Sequence, residues 1–242
     1  MRPVGIACIV IAAVSIVQLT ARPQRVPGLP PVMLWAWETP QDLRFIHASS
    51  VGIAFLERTI SVSGQTIRTR PRLDPLQFNP GVPLMAVVRI ESAGAGLPEV
   101  PAVAQAILPA AKLPDLRALQ IDFDARQSEQ GWYTALLRNL RSSLPAKLPL
   151  TITALENWCG QDGWLSGLPI ADATAMLFRM GPEDRRLPTS FASPACRSSI
   201  GVSTDELPVH VPRADRIYFF HPGPWSEESY DAALAQVRRW HL

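Results

Sequence analysis

The fold class this sequence predicts is α/β: a small, irregular (β/α)8 barrel of the TIM type with an incomplete helical layer. Three observations carry that expectation. Eight short apolar runs recur about every 27 residues between positions 33 and 221, close to the ~30 residues of a strand, crossover and strand. Helical periodicity fills some of the intervals and is missing from others. Proline takes 24 of the 242 positions, about twice its usual ~5% share, which excludes long bundles and coiled coils and favours short elements joined by bends. An open doubly wound sheet is the rival, but no Gly-rich turn of the GxGxxG kind follows the first run, so the barrel is preferred.

In chain order, Arg2 precedes an apolar run over residues 4–17, and a Pro/Arg-bearing stretch, ARPQRVPGLPP, follows. The run is shorter than the ~20 residues of a membrane-spanning helix, so residues 1–21 read as a secretory signal. The other reading is an uncleaved N-terminal anchor, and hence a membrane tether. Cleavage after Ala21 puts Leu19 where a small residue is preferred, and Cys8 would leave with the signal. Residues 22–32 then form a Pro-rich linker, and 33–242 a single barrel domain in a periplasmic or secreted protein.

The strand candidates are 33–38 (MLWAWE), 52–57 (GIAFLE), 84–91 (LMAVVRIE), 118–124 (ALQIDFD), 150–155 (LTITAL), 173–180 (ATAMLFRM), 197–203 (RSSIGVS) and 216–221 (RIYFFH). Four helices are expected between or after them. Thr39-Pro40-Gln41-Asp42 has the capping residue, first-turn proline and first-turn acid of a helix over 40–47. Residues 100–111 carry Val103, Ile107 and Leu108 at helical spacing until Pro109 ends or kinks them. From Ser128 to about Ser143, Tyr133, Leu136, Leu137 and Leu140 make one apolar stripe. Ser226 caps the last helix, 227–240, whose final turn carries Arg238 and Arg239. Residues 59–83 read as a hairpin around Ser63-Gly64, and 182–195 have no helical period.

Composition narrows the function. A net charge of +2 gives no basic face for nucleic acid. GxSxG is absent and Cys159 has no evident His partner, so acyl transfer finds no support. CxxC, HExxH and close His pairs are missing too, so no metal or cofactor is implied by motif. In an oxidising compartment Cys159 and Cys196 read as a disulfide, with two separate buried thiols as the alternative.

Polar residues cluster where the strands end: Glu38, Glu57, Arg89, Glu91, Asp122, Asp124, Glu156, Arg179, Asp205, Glu206 and His221. In a barrel of this type that rim carries the chemistry. The sharpest motif is Gln120-Ile121-Asp122-Phe123-Asp124. Strand alternation sends Ile121 and Phe123 outward and aims both aspartates into the mouth, their Cα atoms ~6.6 Å apart. Paired carboxylates repel, raise one pKa and divide into an acid and an ionised partner, which glycoside hydrolysis needs. Arg89 or Arg179 could instead neutralise them as structural ion pairs, and the pair could hold a divalent cation.

Seven tryptophans form a second group. Trp35, Trp37, Trp158 and Trp225 fall at strand ends and Trp164 in the loop beyond, where indole faces suit sugar rings; core packing is the other reading. Trp132 and Trp240 lie on helices and are assigned to packing. His221 reads as a proton carrier, a substrate hydrogen-bond partner or a structural histidine.

The segments LWAWETPQDLRF (34–45), VVRIES (87–92), LQIDFDARQSE (119–129), LPLTITALENWC (148–159) and AMLFRMG (175–181) resemble a bacterial family called domain of unknown function 3142. That resemblance implies an exported, barrel-like protein. A more distant likeness is to the family 18 glycoside hydrolases, whose fourth strand carries DxxDxDxE. Asp122 and Asp124 fall on the last Asp and the Glu of that run; Asp replaces the Glu, and the earlier aspartate is missing. The resulting expectation is an exported carbohydrate-active protein of glycoside-hydrolase type acting on a glycan or polysaccharide. Asp124 would be its proton donor and Asp122 the ionised partner. Glu91, Glu156 and Glu206 are further carboxylates, Arg89 and Arg179 place the substrate, and Trp37, Glu38, Trp158 and His221 border it. The alternative is a non-catalytic envelope protein that binds a glycan or a partner through the same rim.

Overall fold

Runs that are apolar on both faces bury both faces, and parallel strands wrapped by their own connections are the way a chain achieves this. The computed structural model describes residues 26–47, 50–94, 96–160, 163–180 and 187–240. The expected leader over 1–21, with Cys8, lies outside them. The strands are β1 (Val32–Ala36), β2 (Gln41–Asp42), β3 (Val51–Ser63), β4 (Thr66–Pro71), β5 (Leu76–Gln77), β6 (Leu84–Ser92), β7 (Leu116–Asp122), β8 (Leu150–Leu155), β9 (Asp172–Met176), β10 (Ser199–Ser203) and β11 (Arg216–Phe220). The helices are α1 (Val100–Ile107), α2 (Gln130–Ser143), α3 (Glu156–Cys159) and α4 (Glu227–Arg239).

Eight parallel strands close a barrel in the order β1-β3-β6-β7-β8-β9-β10-β11, and β11 pairs back onto β1. Each expected run supplies one of them. β4 is an antiparallel addition to the long β3, turned at Gly64, whose φ of 55° suits a two-residue hairpin. The helical layer is incomplete, as expected: among the described residues no helix separates β1 from β3 or β10 from β11. Pro109 acts as read, since α1 gives way at Leu108 to a tighter turn over Leu108–Lys112. Ser226 caps α4, accepting from the Ser229 N–H at 3.1 Å.

The expected helix over 40–47 does not form. The Gln41 N–H donates to Pro75 O and the Leu43 N–H to Gln77 O, making the small β2–β5 ladder. Arg72 claims the carbonyls of Ala36, Trp37 and Thr39 from across the sheet. The buried Gln41 amide donates to Thr39 Oγ1 and accepts from the Trp225 N–H. Long-range partners thus take the groups a first helical turn would have used.

Alternation splits the apolar residues in two. Leu34, Ile53, Val88, Ile121, Ile152, Ile200 and Phe219 belong to the outer core under the helices. Met33, Trp35, Ala54, Met85, Val87, Ala118 and Tyr218 fill the interior. Glycine makes room for the largest of these: a Cβ at Gly201 would lie 2.6 Å from the Trp35 ring, and one at Gly52 2.7 Å from Met33 Sδ. At the strand N-termini, Val26 and Leu29 pack beneath the interior, and buried Arg216 donates to the carbonyls of Val26, Leu29 and Pro30. Residues 26–31 of the expected linker are therefore the barrel floor. Beside Arg216, 3.8 Å away, lies Asp172, whose pKa burial pushes up to about 6.

Candidate active site

At the opposite end the strands open into a cavity of about 220 Å³, smaller than the usual ~300–1,000 Å³ of a drug-sized site and suited to one ring-sized group. β7 delivers the two acids. Phe123 turns outward, edge-on to Trp132 and Tyr133 at 5.9 and 5.2 Å, so Asp122 and Asp124 face the cavity together. Asp122 is the deeper, half-buried one and accepts a 2.7 Å bond from Thr153 Oγ1 on β8. Burial pushes its pKa up to about 6; the Thr153 bond and Arg89 oppose the shift, while the charges of Asp124 and Glu91 add to it. Asp124 stands at the exposed rim, and its pKa is also raised, by partial burial against the pull of Arg89.

Neither acid is locked to an arginine. Among the described residues no ion pair within 4.0 Å includes Asp122 or Asp124; Arg89 turns instead to Glu91 at 3.4 Å, its guanidinium 5.9 Å from the Trp37 ring centre. Arg179 lies 5.3 Å over Phe220. Trp37 meets the edge of Phe220 at 6.2 Å, and Phe220 stacks on Phe178 at 5.6 Å and 4°. Two carboxyls with raised pKa values, two cations and a set of aromatic faces therefore border one hollow, the composition expected where proton transfer and ring binding meet. Residues 80–178 match the family model described as Domain of unknown function (DUF3142). That span runs from just before β6 to Phe178, so it holds Arg89, Asp122, Asp124 and Thr153 but neither Trp37 nor Phe220. No curated protein and no solved structure gives a significant match.

Other expected site residues are placed elsewhere. Glu91 lies beside the acids on a neighbouring hollow with Arg89 and Arg126, and accepts from Ser61 Oγ. Trp158 packs into the outer core against Trp164, 5.1 Å away, because the chain turns into α3 directly after β8 and carries the indole outward. Glu156 opens that helix, is engaged within the fold, and does not border the mouth cavity. Glu38 pairs with Arg70 and accepts from Thr59. Glu57 pairs with Arg58 at a β-bulge. His221 shares a 2.6 Å hydrogen bond with Thr204 and lies on Trp225 at 5.0 Å; burial lowers its pKa. Cys159 and Cys196 are joined, Cα to Cα 5.7 Å. Among the described residues no group of three or more His, Cys, Asp or Glu is arranged to hold a metal ion.

Sequence reasoning missed Thr153, Phe178 and Phe220. Alternation would have found two of them: Phe220 shares the inward face of β11 with Arg216 and Tyr218, and Thr153 that of β8 with Thr151. It also missed the buried Gln120, which accepts from Trp35 Nε1 at 3.1 Å and donates to Thr174 at 3.2 Å, fixing the ring under the mouth.

Proposed function

We propose that this is an exported carbohydrate-active protein whose barrel mouth binds a glycan and, through Asp122 and Asp124, hydrolyses a glycosidic bond. The observation that carries the reading is the shared cavity: two carboxyls with raised pKa values open onto the same hollow as Trp37 and Phe220. Neighbouring carboxyls displaced upward hold one proton between them in weakly acidic solution. Burial keeps that proton on Asp122, the deeper acid, and Asp122 rather than Asp124 gives it to the glycosidic oxygen as the bond to the anomeric carbon breaks. Asp124, the outer carboxylate, steadies the cationic transition state and takes the proton of the water that adds to the anomeric carbon. Trp37 offers its ring to the sugar. Export is supported by the apolar N-terminal run and by the joined Cys159–Cys196 pair, since disulfides persist in oxidising compartments.

The test is turnover by the purified protein on chitin, peptidoglycan and exopolysaccharide fragments. Cleavage is expected in wild type and loss in Asp124→Asn; a variant as active as wild type, or no cleavage across the panel, removes the enzyme reading. One observation favours a second reading, a non-catalytic glycan-binding envelope protein. Asp124 is one methylene shorter than the Glu of the glycosidase run, which shortens its reach. That reading expects glycan binding by calorimetry that is lost in Trp37→Ala and survives Asp122→Asn.

A further inference from the structure

The two arginines of the mouth are not equivalent. Arg89 is committed: it pairs with Glu91 and acts on both aspartates. Among the described residues the guanidinium of Arg179 has no carboxylate within 4.0 Å, and it is not among the charges that move Asp122 or Asp124. The mouth therefore has an acidic end, balanced by Arg89, and a cationic end whose guanidinium has no ion-pair partner among the described residues.

The chain also goes out of its way to hold Arg179 there. Its φ is 55°, a left-handed backbone that non-glycine residues seldom adopt and that recurs at functional sites. The Glu206 carboxylate, from the loop after β10, fixes that bend by accepting the Arg179 backbone N–H at 2.7 Å. The side chain then lies over Phe220, which is itself stacked on Phe178. An arginine resting on an aromatic face keeps its edge donors free, and their planar fork matches an oxyanion group two bonds at a time.

We infer that the ligand of this mouth is an acidic saccharide, a sugar whose carboxylate or sulfate is held by Arg179 on the Phe178–Phe220 shelf while its glycosidic oxygen lies at Asp122 and Asp124. This inference rests on the glycan reading above and names its substrate class. A neutral sugar fills the cavity without using the guanidinium; a uronate or sulfated sugar uses both ends of it.

The experiment is calorimetry of the purified full chain with uronate tetrasaccharides and sulfated tetrasaccharides, each beside its neutral counterpart, carboxyl-reduced or desulfated. Wild type should bind an acidic member about tenfold or more tighter than its neutral twin at low salt. Arg179→Gln should erase that preference, and Arg179→Lys should keep part of it. The uronate and sulfate arms tell which anion is taken. Equal affinity for acidic and neutral twins in wild type overturns the inference, with or without a folded variant, and so does a preference that persists in Arg179→Gln. Acidic and neutral twins bound equally by wild type and both lost in Trp37→Ala would overturn it while leaving the glycan reading standing; no binding by any member overturns both.

Discussion

Replacing Asp122 by asparagine should make the folded protein more stable in neutral solution and leave it unchanged in acid. The side chain keeps its shape, and its amide oxygen can still accept from Thr153 Oγ1, which lies 2.7 Å from the carboxylate. What disappears is the charge. The fold raises the Asp122 pKa from 3.8 to about 6, and at ~1.36 kcal/mol per pKa unit that corresponds to about 3 kcal/mol against the ionised form. Solvent reaching the mouth reduces this, so a gain of about 1–3 kcal/mol is expected. Because the folded pKa lies above the unfolded one, the penalty is absent below pH 3.8, grows as pH rises between 3.8 and about 6, and is complete above that. Urea unfolding followed by tryptophan fluorescence, with wild type and Asp122→Asn compared from about pH 3.5 to 8, reads the difference directly. Asp172, whose pKa is likewise raised to about 6, is common to both proteins and cancels. A difference that stays flat with pH, or a wild type more stable than the variant at pH 7, refutes the reasoning.

Two further outcomes follow from the packing. Gly201→Ala places a methyl 2.6 Å from Trp35 Cη2 and 2.9 Å from Cζ3, so it should cost about 1–3 kcal/mol in denaturant unfolding by overpacking the interior; an unchanged midpoint would mean the ring has room to move. Reducing the Cys159–Cys196 bridge, which spans 37 residues, should cost up to about 4 kcal/mol by the loop-entropy relation, seen as a lower urea midpoint with reductant than without; identical midpoints would show that the bridge does not restrain the unfolded chain.

The barrel was legible because each strand is buried on both sides, so every one appears in the sequence as an apolar run with its own stops. The carboxylate pair was legible for a related reason: Ile121 and Phe123 are apolar on alternate positions, which leaves Asp122 and Asp124 the inward face. Signals that depend on partners far along the chain misled. Thr39-Pro40-Gln41-Asp42 has every local mark of a helix start, yet Arg72 and the residues around Gln77 take its hydrogen-bonding groups. Trp158 looks like a rim residue by counting from β8, but the turn into α3 reverses its direction. His221 is one position past an inward Phe220, and the same alternation that aims the phenylalanine at the mouth sends the histidine to Trp225. Arg179 could be placed at a strand end from sequence, while its left-handed backbone and the hold of Glu206 could not.

The floor built from residues 26–31 has a consequence for traffic. With Val26 and Leu29 wedged under the barrel and Arg216 tying three of their carbonyls, the lumen is a blind well, and whatever enters at Asp122 and Asp124 must back out the way it came. A polymer cannot be threaded through such a well; it can only present a terminus or drape a single unit over the lip.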